Sequence, residues 1–280
     1  MPYSYQTLTE ALAAAGIEEA AAEASILLGH FADAGQATLM ADRNRIYHTP
    51  ALEAAVEKRL RRYPLQYIIG AWDFFDSTIA VNEYCLIPRP DTEILVEEAI
   101  RRLPPQARFA DLCTGSGCIA VAVLEKRPDT AAAALELYPE TLSVAKRNAV
   151  LNSVENRFTP VCADLLSNGV EALLPHAPFN AILSNPPYIP TAELESLSPE
   201  VHCEPRAALD GGEDGLMFYR AILHHYPGLL KPGGYMLLEI GHDQADALRA
   251  LAAETLPAAP VCVLRDLGGN DRVVVIGPIS

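Results

Sequence analysis

The chain has 280 residues, half of them apolar, and a formal net charge of −15. That length and apolar content support one large domain or two unequal ones, each with a proper core. So acidic a chain does not draw its affinity from neutralising phosphates, which disfavours a nucleic-acid binder and leaves a small-molecule site or a basic protein partner.

No apolar run reaches the ~18 residues of a membrane span. The N-terminus, Met1-Pro2-Tyr3-Ser4-Tyr5, lacks the basic-then-apolar order of a secretory signal. Residues from Tyr5 to about Arg62 read as short helices. Thr7-Leu8-Thr9-Glu10 is a capping-box pattern, and Gly16 is placed to stop that helix. Ala20–His30 is a second helix, and Thr49-Pro50 caps a third over Ala51–Arg62. The expectation for this region is a small helical bundle whose core carries no chemistry. Arg59, Arg61 and Arg62 at its end read as a solvated face ahead of the alternative, a docking patch on an acidic protein.

Trp72–Ile87 carries Phe74, Phe75, Ile79, Val81 and Tyr84, with a turn expected at Asn82-Glu83, so a β-hairpin linker fits. Asp91-Thr92 then starts a helix over Glu93–Arg102. From Phe109 onward strands and helices alternate. Strands are expected at Phe109–Cys113, Ala131–Leu137, Phe158–Ala163, Ala181–Ser184 and Tyr235–Ile240, with Val261–Arg265 and Arg272–Ile276 as a closing antiparallel pair. Helices are expected at Cys118–Lys126, Pro139–Leu151, Gly215–His225 and Ala245–Glu254. Such alternation predicts an α/β fold with a mostly parallel sheet covered on both faces. The six cysteines are scattered without metal-ligand spacing, which predicts free thiols in a reducing cytoplasm and no bound metal.

Asp111-Leu112-Cys113-Thr114-Gly115-Ser116-Gly117 joins one of these strands to the next helix. Glycines there let the backbone turn sharply and let a ligand approach. The Gly115-x-Gly117-x-x-Ala120 spacing also fits a dinucleotide fingerprint, so the loop alone does not choose the cofactor. Glu136, ending the next strand, can accept both ribose hydroxyls of a nucleoside. Asp111 could pair with a cationic amino group, which S-adenosylmethionine offers and a nicotinamide cofactor does not. Asp164 ends the third strand, where an adenine amino group would sit.

Ser184-Asn185-Pro186-Pro187-Tyr188 closes the apolar run Ala181-Ile182-Leu183. A residue before proline is biased to extended backbone, and two prolines stiffen the turn. The Asn185 side-chain carbonyl and the Pro186 main-chain carbonyl can then converge on one –NH₂ group, with the Tyr188 ring stacked on its flat face. Holding both hydrogens favours the geometry from which the nitrogen can accept a methyl group. No nucleophilic side chain is required, so Cys113 is expected to be a small core-facing residue.

The flanks narrow the choice. Pro64-Leu65-Gln66-Tyr67-Ile68-Ile69-Gly70, Ile87-Pro88-Arg89-Pro90-Asp91-Thr92-Glu93, Glu204-Pro205-x-x-Ala208-Leu209-x-Gly211-Gly212-x-Asp214-Gly215-Leu216 and Leu238-Glu239-Ile240-Gly241 all occur. Together with the loop and the clamp they resemble the HemK/PrmC family, whose members methylate the glutamine side chain in the Gly-Gly-Gln motif of peptide chain release factors. The resemblance covers nearly the whole chain. It implies an N-terminal helical recognition domain over residues 1–73, a hairpin linker over 74–90 and a class I methyltransferase domain with a seven-stranded Rossmann-like sheet over 91–280. It implies S-adenosylmethionine as cofactor and S-adenosylhomocysteine as product, contacted by Asp111, Cys113, Thr114, Gly115, Ser116, Gly117, Glu136, Asp164, Leu165 and Asn185. It places the glutamine against Asn185, Pro186, Pro187 and Tyr188. The sequence departs from the family pattern in having Cys113 where glycine is common, Glu136 where aspartate is frequent, and Leu165 where an aromatic often lies beside adenine.

The expected partner is a release factor, met by a monomer in the cytoplasm without direct nucleic-acid or membrane contact. The alternatives are methylation of a ribosomal-protein glutamine, a DNA adenine or cytosine amino-methyltransferase, and a non-catalytic nucleoside-binding docking module.

Overall fold

The structure is a computed structural model and describes residues 2–279. Met1 and Ser280, the outer ends of the expected 1–73 and 91–280 ranges, lie outside the described residues. The chain divides into two compact units. One runs up to Gly70 and takes in Ser198–Cys203; the other is formed by Ala71–Leu197 and the chain from Glu204 onward.

The first unit is helical: α1 (Tyr5–Ala14), α2 (Ala20–Ala32), α3 (Gln36–Ala41), α4 (Pro50–Leu60) and α5 (Leu65–Ile69). Leu8, Leu12, Leu27, Leu28, Leu39, Leu52 and Val56 fill its core and are fully buried. The capping box lies at Ser4 and Thr7, not at Thr7 and Glu10: Ser4 caps α1 and accepts from the Thr7 N–H, while Thr7 Oγ1 accepts from the Ser4 N–H. Gly16 ends this helical stretch at φ 78°, as its sequence position predicts. Arg59 does not lie on a solvated face. It is buried at 4% exposure and paired with Glu23 (2.5 Å) and Glu200 (2.9 Å), and Arg62 also pairs with Glu200 (2.6 Å). Two guanidinium groups and two carboxylates thus neutralise one another where single charges would be costly to bury.

The second unit opens with the hairpin β1 (Ala71–Phe74) and β2 (Ser77–Ala80). Its turn is Phe75-Asp76, both with left-handed backbone. Asn82, expected to turn the hairpin, instead makes a separate turn beyond it, its side chain accepting from the Tyr84 N–H and its carbonyl from the Cys85 N–H. Then follow α6 (Glu93–Arg102), β3 (Arg108–Leu112), α7 (Cys118–Lys126), β4 (Ala131–Glu136), α8 (Pro139–Leu151), β5 (Phe158–Cys162), β6 (Phe179–Ser184), α9 (Met217–His225), β7 (Leu230–Glu239), α10 (Ala245–Thr255), β8 (Val261–Arg265) and β9 (Asp271–Ile279).

The strands form one seven-stranded sheet in the order β5-β4-β3-β6-β7-β9-β8. The first five are parallel, and β9 and β8 close the edge antiparallel. The chain starts at the centre with β3, winds outward to β5, and returns beside β3 as β6. The order therefore reverses between β3 and β6, and the crevice beyond their carboxyl ends is where such sheets take ligands. Both segments singled out in the sequence leave the sheet there: the glycine loop after β3 and the Asn-Pro-Pro-Tyr turn after β6. Ala132, Ala133 and Ala134 in β4 and every residue from Cys118 to Leu124 in α7 are buried. The small alanines of β4 let the helical layer, with its larger Ile119, Val121, Val123 and Leu124, pack closely on the sheet.

Candidate active site

The glycine loop is set by backbone hydrogen bonds. The Thr114 N–H donates to the Leu135 carbonyl (2.9 Å) and the Gly117 N–H to the Thr114 carbonyl (2.8 Å). Cys113 takes φ 59° and Gly115 φ 57°. A left-handed position explains why glycine is common at residue 113, since it alone adopts that backbone without strain. The Cys113 side chain packs against the core on one side and lines the cavity on the other. Burial pushes its thiol well above the ordinary value, so it is no thiolate nucleophile.

The loop borders a cavity of about 930 Å³ including its open mouth. Thr114, Gly115, Ser116, Glu136, Asp164, Leu165, Asn185 and Pro187 line it, as does Cys113. Glu136 is 9% exposed; its Oε2 accepts from the Gly115 N–H (3.0 Å) and its Oε1 from the Leu137 (2.9 Å) and Tyr138 (3.2 Å) N–H groups. Burial pushes its pKa up, and the three amides pull the other way. The result is a carboxyl group fixed at the cavity wall, with Oε2 keeping acceptor capacity that the main chain does not use. Asp164 accepts from the Leu166 N–H (2.9 Å) and the Ser167 hydroxyl (3.2 Å), which shapes the turn at the end of β5.

Four of the expected contact residues are not among those that line this cavity. Asp111 does not line the cavity. It lies within β3 at 0% exposure, accepts from the Thr114 hydroxyl (2.5 Å), and leaves Oδ1 without a hydrogen-bond partner of normal geometry. Burial raises its pKa to about 7, against the Thr114 hydroxyl and the Ala120 N–H. Its part is to brace the loop from behind. Gly117 is absent from the wall too: a Cβ there would come 3.1 Å from the Ala145 Cβ, so this glycine serves the packing of α7 on α8.

Pro186 and Tyr188 also stand off the wall. Tyr188 is half-buried against the core of the sheet, and its carbonyl accepts from Gln244 Nε2 (2.9 Å). Burial and the charge of Glu239 push its hydroxyl up to about 12, while Arg272 and Arg89 oppose. Gly215 fits tightly behind it: a Cβ there would lie 2.3 Å from the Tyr188 carbonyl oxygen. Of the long segment after the clamp, Thr191–Asp210 and Gly211–Ile189 hydrogen bonds fold it back beside Tyr188. Glu204 fixes it to the start of the unit, accepting from the Ile87 N–H (3.0 Å) and from Arg89, whose role is thereby a tether.

The sequence reading missed several wall residues. Tyr84, Tyr138 and Phe218 add aromatic residues to the cavity lining, which Leu165 does not supply. Thr92 also lines it, and its hydroxyl accepts from Asn185 Nδ2 (3.2 Å) across 93 positions of sequence. The Pro90–Thr92 turn carried a signal only as part of a longer motif; nothing local marked Thr92.

The PrmC N-terminal domain family model matches residues 5–70, and the Methyltransferase small domain model matches 90–204. The chain is 40% identical over 267 residues to the release factor glutamine methyltransferase of Geobacter sulfurreducens, covering 94% of this chain and 91% of that protein. It is 42% identical over 267 residues to the one from Cereibacter sphaeroides, covering 94% and 93%. Among solved structures, a methyltransferase from Pyrococcus furiosus superposes with a TM-score of 0.54 at 18% identity, over 80% of this chain and 96% of that one, a likeness of fold.

Proposed function

The chain belongs to the release factor glutamine methyltransferase family, and from that premise we propose that it methylates the side-chain amide nitrogen of the Gly-Gly-Gln glutamine in peptide chain release factors. The observation that carries the reading is that Asn185, at the end of β6, faces the same cavity as the glycine loop and Glu136. A nitrogen holder and a nucleoside holder share one site.

The walls suit S-adenosylmethionine. A glycine backbone open to close approach, a carboxylate ready for two hydroxyls, and apolar and aromatic side chains for a base match its parts. Thr114, Gly115, Ser116 and Glu136 would hold it, with Asp164 and Leu165 toward the adenine. When bound, it supplies an electrophilic methyl group. The chain's own residues orient the acceptor. Asn185 Oδ1 would accept one amide hydrogen, and Pro187 keeps the turn rigid. The Pro186 carbonyl and the Tyr188 ring, which do not line the cavity, would meet the second hydrogen and the flat face of the amide once the glutamine enters. These contacts draw the nitrogen lone pair out of conjugation and aim it, so binding energy is used at the transition state.

The reading extends to a monomer acting in the cytoplasm on protein, not directly on nucleic acid. The acidic charge and six free cysteines support this. Residues 5–70 would select the release factor. The test offers a release factor and duplex DNA side by side with labelled S-adenosylmethionine. Label on the protein alone is expected; label on DNA overturns the reading.

A further inference from the structure

An asparagine amide can present either its oxygen or its nitrogen, and only the oxygen accepts the hydrogens of an incoming amide. Something must therefore set which end of Asn185 faces the cavity. The groups behind it are Thr92 and Glu239. Thr92 is 2% exposed and takes the Asn185 Nδ2 hydrogen at 3.2 Å. Having accepted on its oxygen, the Thr92 hydroxyl has its own proton to give. Glu239, the last residue of β7, follows Leu238, which pairs with Ser184, and so stands beside Asn185 at 1% exposure. Burial pushes its pKa up to about 7, and the nearby Thr92 and Asn185 side chains pull it back down. Its Oε2 has no partner. The carboxylate does not line the cavity and is used by no step above.

We propose that Glu239 is a positioning residue for methyl transfer, acting through Thr92 to hold Asn185 with its oxygen toward the substrate amide. A carboxylate only accepts. With it at the end of the chain, the Thr92 proton points to Glu239 and the Asn185 –NH₂ points to Thr92. Oδ1 is then left for the substrate. A group at position 239 that could also donate would allow the reversed order, in which Thr92 donates to Asn185 Oδ1 and the amide turns its nitrogen into the site. Around Glu239 stand Arg272 on β9, Asp91 beside Thr92, Tyr188 after the clamp, and Tyr219 on α9, whose hydroxyl donates to the Glu239 main-chain carbonyl (2.6 Å). Burial and the Asp91 charge disfavour the charged Glu239 carboxylate, and Arg272, joined to Asp91 (3.3 Å) and Asp266 (3.0 Å), opposes them.

The inference rests on the methyltransferase reading, and the experiment separates the two. Full-length Glu239→Gln, Thr92→Val and Thr92→Ser, each also combined with Asn185→Ala, are assayed for methyl transfer to a release factor. Thermal midpoints and S-adenosylmethionine affinity are measured alongside. Glu239→Gln and Thr92→Val are expected to lower kcat by ~10- to 10²-fold, below or within the loss for one preorganised polar group. KM for the release factor and cofactor affinity should change by no more than about twofold, since ground-state binding is not what the chain orients. Thr92→Ser, which keeps the hydroxyl, should recover most of the loss. In the Asn185→Ala background neither change should cost anything further. Normal kcat in both variants, no recovery with serine, or a full additional loss without Asn185 would each overturn the proposal. Failure of the unsubstituted protein to methylate the release factor would instead overturn the functional reading.

Discussion

At Glu136 one carboxylate meets three main-chain N–H groups and one cavity. A charge so fixed needs no reorganisation to accept ribose hydroxyls. Glu136→Ala is expected to weaken S-adenosylmethionine by ~1.5–3 kcal/mol, the scale of hydrogen bonds to a charged group, in a calorimetric titration. Loss of the loop's anchor at Gly115 would add to this, and unchanged affinity would exclude the ribose role. Asp111 yields a prediction of stability instead. Its pKa is raised from an ordinary 3.8 to about 7. The folded state therefore binds the proton more tightly than the unfolded chain does. The stability this contributes is fully present below the ordinary aspartate pKa and is lost as pH rises through about 7. Asp111→Asn, which can still accept from Thr114, should flatten that part of the pH dependence in urea unfolding of the ligand-free protein. An unchanged slope would mean that Asp111 ionises freely.

Among the elements, α8 does more than cover the sheet. Its Asn148, fully buried, donates to the carbonyls of Ala80 (2.9 Å) and Ser116 (2.8 Å) and accepts from the Ala80 N–H (2.8 Å). One side chain thereby joins the hairpin strand β2 to the glycine loop. Asn148→Ala strands three main-chain groups and should destabilise the protein by about 3 kcal/mol or more in denaturant titration. A loss under about 1 kcal/mol would mean that water replaces the side chain. Much at this scale was legible in the sequence. The spans of α6, α7, α8 and β8 follow from apolar periodicity, prolines at helix starts, and short β-branched runs. What was not legible depended on partners distant in sequence. Phe75 adopts a left-handed turn that aromatic residues seldom take, so the eye goes to Asn82. Ser4 captures the cap because its own N–H needs Thr7. Within the site, the glycine loop and the Asn-Pro-Pro-Tyr turn announce themselves as motifs. Thr92 and Glu239 matter only because β6, β7 and the Pro90–Thr92 turn end at one point.

For the whole molecule, the division of labour follows from what a clamp can sense. A glutamine amide gripped through its nitrogen looks alike in any protein, so selection must come from contacts remote from the reacting atom. The helical unit has its own core and buried charge network, and its residues 5–70 match a family model of their own. We expect its removal to weaken methylation of an intact release factor strongly and of a short Gly-Gly-Gln peptide very little. Equal losses would mean that it only supports the catalytic unit.

The most direct test of the central claim is to map the methyl group by tandem mass spectrometry on a release factor treated with the protein or with its Asn185→Ala variant. The account predicts one added methyl on the side-chain nitrogen of the Gly-Gly-Gln glutamine. With Asn185→Ala it predicts the same product formed ~10²–10³-fold more slowly at nearly unchanged cofactor affinity. A methyl group on another residue, or an Asn185→Ala variant that turns over normally, would contradict it.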